Sequence, residues 1–501
     1  MTVRITQQAA PLKSAALERL DSVMLFIPEK KLAGDWSGFP ATQVLKNRLT
    51  RAGERAAHDK PLVTDLPNRA GTRVSLSVLP QHASGFALLD LVRQHVQQQL
   101  AFGACHIGVA APGLVAAEFE PLIEALTAAI LAANAQMPDY RSAKSSRKKP
   151  SPRTLQLQFF GVTRQVDLAR TRAEAEGNAL ARTLTITPPN ELTPALYRRR
   201  IAALAREHGW RMRFLDSRAL KRKHAGAFLA VAQGSASDDA GIIELSYQPA
   251  KRTRAPALCL VGKGICFDTG GVNVKPARYM QGMHEDMEGS AVALGTLLAL
   301  TRLRAPFPIK CWLALAQNHI GPRAYKPTDV VTASNGTTIE VVHTDAEGRM
   351  VLADTLALAS REEPALIIDY ATLTGSCVAA LGTAYSGAIT NRDALREEII
   401  AAGRASGERV WPFPFDPDYD KALESRIADI KQCTLDSEAD HILAARFLSR
   451  FVGETPWVHI DLSAGNHKGG LAHIPTDVTG FGVRFTLNLL LDRKVMDKLA
   501  A

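Results

Sequence analysis

Within His343-Thr344-Asp345-Ala346-Glu347-Gly348-Arg349-Met350, two carboxylates and a guanidinium fall at i, i+2 and i+4. In extended chain, side chains two residues apart point the same way, so both acids could reach one cation or a pair of cations. The β-branched run at 338–342 precedes them and reads as a strand, and 350–359 follows and reads as a helix. Asp345 and Glu347 are therefore expected where a strand ends and before a helix begins, the edge at which open α/β sheets bind ligands. Taken alone, the same residues also fit a turn with a helix-capping acid and a solvated arginine. A second acidic cluster upstream weighs against that plainer reading.

That cluster starts with Gly262-Lys263-Gly264-Ile265-Cys266-Phe267-Asp268-Thr269-Gly270-Gly271, followed closely by Lys275. Gly-x-Gly after a strand invites a dinucleotide site, but Phe267 stands in the third glycine's place and no helix is expected next. A phosphate-binding loop is excluded too, because its G-K-[ST] ending is absent. Lys263, Asp268 and Lys275 project from one loop system. Asp286 stands just before an apolar helix. Asp268, Asp286, Asp345 and Glu347 are then four acids at loop ends of adjacent sheet elements. Brought into one cleft, they would repel and raise one another's pKa. Two divalent ions about 3.5–4 Å apart would relieve that, as in many hydrolases. The alternative is four ordinary pairings with Lys or Arg.

At this point the chain resembles the leucine aminopeptidase (cytosol aminopeptidase) family of dinuclear metallopeptidases. The family signature N-T-D-A-E-G-R-L is matched here by H-T-D-A-E-G-R-M, and V-G-K-G-x-x-F-D-[ST]-G-G-x-x-x-K by residues 261–275. The spacing from Lys275 to Asp286 agrees, as does A-T-L-T-G at 371–375. The similarity runs from about residue 175 to 390 and thinly beyond, through Trp457-Val458-His459-Ile460-Asp461. The resemblance implies that Lys263, Asp268, Asp286, Asp345 and Glu347 bind two metals, Mn²⁺ or Zn²⁺, with Asp268 and Glu347 bridging. Lysine ligation requires loss of a proton, which two adjacent dications favour. It also implies that Lys275 holds the scissile carbonyl oxygen, and that Arg349 holds a bicarbonate acting as general base, since a guanidinium takes no proton. Water activated between the metals would attack the peptide carbonyl while one metal holds the substrate's α-amine. Thr372, the Leu373 backbone and Gly375 would line the cleft, with Met283 in a side-chain pocket that accepts leucine-like residues broadly. A homo-hexamer acting on peptides is the implied assembly.

The departures from the family pattern are few. His343 replaces the family's Asn beside Asp345, which is expected to alter specificity or pH response, through a hydrogen bond or as a further ligand. Met350 for Leu conserves volume. Glu288 is an acid where the family has a small residue, and a helix-capping role is expected for it. Residues 469–476 also depart from the family pattern, which bears on substrate preference.

The elements that must position these groups alternate. Strands are expected at 257–261, 309–315, 338–342, 366–370 and 457–462, and helices near 289–303, 350–361, 392–406, 436–451 and 480–498. That is an α/β/α catalytic domain on a mostly parallel sheet, spanning 188–501. Residues 1–164 read as a smaller α/β domain, with strands at 23–28, 74–79, 106–111 and 155–162 and helices at 86–100 and 118–137. A helix at 165–187 is expected to connect the two. A length of 501 residues, 46% hydrophobic and 22% charged, agrees with two globular domains.

No eighteen-residue apolar run and no apolar leader is present, and the six cysteines form no C-x-x-C pair. The expectation is a cytoplasmic protein without a membrane span. Of the net charge of +10, most lies in residues 1–160, with nineteen Lys and Arg against twelve Asp and Glu. It peaks in the Ser/Pro/Lys stretch 141–153, which reads as a solvated loop. Nucleic-acid binding there would be a second function, with no aromatic residues interleaved to support it.

Overall fold

The computed structural model describes residues 3–500 except 33, 35, 37–38, 54–55, 82–83, 143–153, 252–254 and 437. The basic stretch at 141–153 lies almost wholly outside the described residues. Two compact units emerge: Met1–Ala175 with Gly469–Thr476, and Glu176–Lys468 with Asp477–Ala501. In sequence they divide inside the helix Ala169–Ile186.

The first unit is a six-stranded sheet in the order Val3–Gln8, Leu155–Phe160, His106–Ala110, Ser22–Pro28, Arg73–Leu79, Leu62–Asp65. All pairs are parallel except the last. Sequence reading missed Val3–Gln8 and Leu62–Asp65, both on the sheet's edges. Each is partly exposed and mixes polar with apolar side chains, so neither carries the continuous apolar signal of the inner strands. Gly469–Thr476 is tied into this unit by Arg93, which donates to the Ala472 and Gly469 carbonyls at 2.8 and 2.9 Å.

The second unit is built on an eight-stranded sheet. Its centre is parallel: Trp457–Asp461, Leu366–Ala371, Leu258–Asp268 and Ile309–Asn318. Antiparallel pairings bring in Gly241–Tyr247 and Arg211–Asp216 on one side and Ser386–Thr390 on the other. The strand Leu258–Asp268 is apolar at nearly every position because both of its faces are covered. Gly262 and Gly264 face Ser290 of the helix Glu288–Arg302, with no room for a Cβ. Cys259, Val261 and Ile265 pack into a core that includes Met350 and Val351 of the helix Glu347–Ser360. The period-two alternation thus assigns one helix to each face. Both helices are buried over almost their whole length, hence their near-continuous apolar sequences.

Three expectations need correction. The strand Thr338–Glu340 pairs with Val330–Thr332 and Ile430–Lys431 in a separate three-stranded sheet, so Asp345 and Glu347 do not follow a strand of the main sheet. Glu347 is already the first residue of its helix, three residues earlier than expected, so the two acids are not in extended chain. The last helix is broken into Val483–Leu487, a π-turn Asn488–Asp492 and Val495–Ala500. Gly480 and Gly482 hold positive φ before it, and Lys494 at φ 51° interrupts it.

Asp354 locks the helix Glu347–Ser360 to its surroundings. Its buried carboxylate accepts the Phe228 and Ser334 backbone N–H groups at 2.8 and 2.6 Å. Asp354→Ala leaves both donors unpaired and should cost about 2–4 kcal/mol. Chemical denaturation checks this; a loss below about 1 kcal/mol would mean the two donors find other partners.

Candidate metal centre and substrate cleft

Asp268 ends the strand Leu258–Asp268 opposite Asn318, where the neighbouring strand's register shifts. The Asn318 side chain donates to Asp268 Oδ1 at 2.8 Å and to the Thr344 carbonyl at 3.0 Å. Gly270 N–H donates to the same Asp268 oxygen at 2.8 Å. Thr344 then clasps two loops together. Its hydroxyl donates to the Gly270 carbonyl at 2.6 Å and accepts Asn273 N–H at 2.8 Å, while its own N–H reaches Asn273 Oδ1 at 2.9 Å. The Tyr325 hydroxyl adds a bond to the Thr344 carbonyl at 2.8 Å. Through this clasp, not through strand geometry, Asp345 is brought to Asp268.

Two lysines gather the acids in pairs. Lys263 Nζ lies 2.8 Å from Asp286 Oδ1 and 2.9 Å from Glu347 Oε1, and donates to the Thr372 carbonyl at 2.9 Å. Gly348 makes room for it, since a Cβ there would fall 2.7 Å from Nζ. Lys275 Nζ lies 2.9 Å from Asp268 Oδ2 and 2.6 Å from Asp345 Oδ1. Burial opposes both lysine charges, yet the surrounding carboxylates overcome it and raise both pKa values.

Four carboxylates against two ammonium groups leave a surplus of negative charge. Burial, reinforced by Asp268 and Glu347, lifts the Asp345 carboxyl to about 7. Burial pushes Asp286 well up, with Lys263 only partly offsetting it, and raises Glu347, with Asp268 the next cause. Asp268, Asp286 and Glu347 each place an oxygen within 4.8 Å of the others. Asp286 Oδ2 and Glu347 Oε2 are buried without a hydrogen-bond partner. Orphaned anionic oxygens that converge in this way fit hard divalent cations.

The remaining candidates divide between cleft and interior. A cavity of about 440 Å³ opens beside the acids and is lined by Met283, Thr372, Leu373 and Gly375 among others. The Thr372 hydroxyl donates to Asp286 Oδ1 at 2.7 Å. Leu373 N–H is spent on Asp461, at 3.1 Å. Arg349 lies apart from this lining, 2% exposed inside its helix. Its Nη2 donates to both Asp440 oxygens at 2.8 and 2.9 Å, and its Nη1 to the Gln432 carbonyl at 3.0 Å. His343 Nδ1 accepts Asp345 N–H at 3.3 Å, and burial, followed by Lys275, lowers its pKa, so it acts as a neutral acceptor.

Sequence reasoning missed Asn318, Asn273, Thr344, Gln432 and Asp440 as parts of this region. Thr344 lies inside the quoted motif, but a threonine between a histidine and an aspartate signals nothing by type. Asp440 is 91 positions from Arg349 and has no spacing rule to link them.

A raised carboxyl makes folding depend on pH. Asp345, ordinarily near 3.8 but about 7 here, keeps a proton in the fold that the unfolded chain has lost. The group therefore costs the fold stability as pH rises from about 4 to about 7, and fully above that. An ion on the ionised carboxylate removes the cost. Mn²⁺ should raise Tm more at pH 8 than at pH 6, and Asp345→Asn should flatten that difference. Equal shifts at both pH values in the unaltered chain would contradict it.

Comparison with known proteins gives a consistent picture. Residues 179–487 match the catalytic domain of the cytosol aminopeptidase family. A curated relative, "Probable cytosol aminopeptidase" of Acidovorax sp. (strain JS42), is 40% identical over 353 residues, 70% of each chain. Among solved structures, a lysine-to-glutamate variant of tomato leucine aminopeptidase superposes with a TM-score of 0.83 at 28% identity, covering 98% of this chain and 97% of its own. The bottromycin maturation enzyme BotP in complex with Mn superposes at 0.79 and 29% identity, covering 95% of this chain and 100% of its own.

Proposed function

The chain belongs to the cytosol aminopeptidase family and is a peptide-bond hydrolase, and from that premise we propose that it removes N-terminal residues with a pair of divalent ions held by Lys263, Asp268, Asp286, Asp345 and Glu347. The observation that carries this reading is the surplus of buried carboxylate oxygens lining a mixed polar and apolar cleft, with Asp286 Oδ2 and Glu347 Oε2 unpartnered. The Mn complex of BotP supports an oxygen-rich, hard-cation site of this kind.

Such ions, when bound, would supply Lewis acidity and bring the pKa of a coordinated water down to about 7. The rest is work for the chain's own residues. Lys263 would hold an ion as a neutral amine, having given its proton to solvent, and would then no longer be ion-paired with Asp286 and Glu347. Lys275 stays charged and donates to the carbonyl oxygen as negative charge builds there. Met283, Leu373 and Val378 form the apolar part of the cleft, which supports a broad preference that includes leucine.

For the general base, the Arg349 guanidinium already carries a carboxylate, that of Asp440. Asp440 therefore occupies the place that the resemblance gives to bicarbonate, but neither residue lines the cavity, so we read the pair as bracing the helix Glu347–Ser360 and not as the general base. An inactive relative finds no support, because every expected acidic and basic side chain is present.

Leucine p-nitroanilide hydrolysis by the metal-stripped chain tests this reading. Activity should return with Mn²⁺ or Zn²⁺ and stay absent in Asp345→Asn, and added bicarbonate should leave the restored rate unchanged. Hydrolysis that survives metal removal would sink the metal reading. A severalfold bicarbonate stimulation would mean that bicarbonate, and not Asp440, occupies Arg349 in the working enzyme.

A further inference from the structure

Glu288 is the first residue of the helix Glu288–Arg302, two positions after Asp286, and is 1% exposed. It lines the same cavity as the acid cluster, yet its Oε1 has no hydrogen-bond partner. Neither a helix cap nor an ion pair accounts for it. Glu285 also lines the cavity, half-buried, with Asn466 donating to its Oε2 at 2.8 Å. Gly465 leaves the space that Glu288 fills, as a Cβ there would fall 2.2 Å from Oε2. An acid buried without a partner is costly, and it persists where a cation arrives to complete it.

The neighbours suggest what kind of cation. Met283, Leu373 and Val378 line the cavity beside these two acids, so apolar wall and anionic groups share one cleft. Lysine and arginine combine an aliphatic stem with a cationic end, and they bury the first while pairing the second. A metal ion would use the acids and leave the apolar wall idle. Resting on the aminopeptidase reading above, we propose that Glu288 and Glu285 select peptides whose first residue is lysine or arginine, with the stem along Met283 and Val378 and the cationic end at the two carboxylates. Leucine remains a substrate of the same cleft, ranked below them.

The comparison that isolates the charge is lysine against norleucine, which shares the stem and lacks the ammonium. Two measurements on the Mn²⁺-loaded chain are needed: hydrolysis of the lysine and norleucine p-nitroanilides, and calorimetric binding of lysinamide and norleucinamide. Lysine should lead norleucine by roughly tenfold or more in kcat/KM and in affinity. Glu288→Gln should reduce that ratio toward one. Glu285→Gln, at a half-exposed position, should reduce it too and serves if the buried substitution fails to fold. A ratio near one in the unaltered chain, or one that neither substitution changes, overturns the proposal. If neither anilide is cleaved but lysinamide still binds more tightly, the peptidase reading fails while the pocket assignment stands. Cleavage of norleucine without any lysine preference does the reverse.

Discussion

Everything around the cleft depends on one electrostatic constraint: four carboxylates, three of them buried and Asp345 half-buried, must be held together although they repel. Lys263 and Lys275 do most of this, each lying between two acids from different segments. The lysines are an incomplete solution, because the acids outnumber them and two oxygens stay unpartnered. That imbalance fits dications and sets the centre apart from a buried ion-pair network. In a network meant only for stability, unpaired buried charge would be a net cost.

The fold supplies the rigidity this demands. The lysines and Asp268 stem from one central strand and the loop after it, and Glu347 and Asp286 stand at or beside helix starts on opposite faces of that strand. Small residues at the crossings let the helices approach closely: Gly262 and Gly264 toward Ser290, Gly348 toward Lys263. Thr344 and Asn318 then fix the loops by hydrogen bonds to backbone. The chemistry-bearing groups therefore rest on packed elements, which is where precise geometry is easiest to keep.

Much of this was legible from the chain alone. The parallel core strands announced themselves as apolar runs, and the acids and lysines of the centre were named by motif. What sequence missed has physical reasons. Asp345 and Glu347 were placed by strand periodicity, but Glu347 is helical, and a clasp made by a threonine, which no pattern marks, brings Asp345 to its partners. The pairing of Arg349 with Asp440 is a contact across 91 positions. Glu288 looked like a helix cap because its position in the helix is visible from sequence, whereas its burial and missing partner are not. The edge strands Val3–Gln8 and Leu62–Asp65 escaped because exposure dilutes their hydrophobic signal.

Two divalent ions per chain is the stoichiometry this set of carboxylates calls for. The most direct test is equilibrium dialysis of the purified chain against Mn²⁺ followed by elemental analysis of ions per chain. Saturation at two is the expected result. Saturation at one, or no specific binding, would contradict it and leave Lys263 and Lys275 as the permanent counter-charges of the cluster.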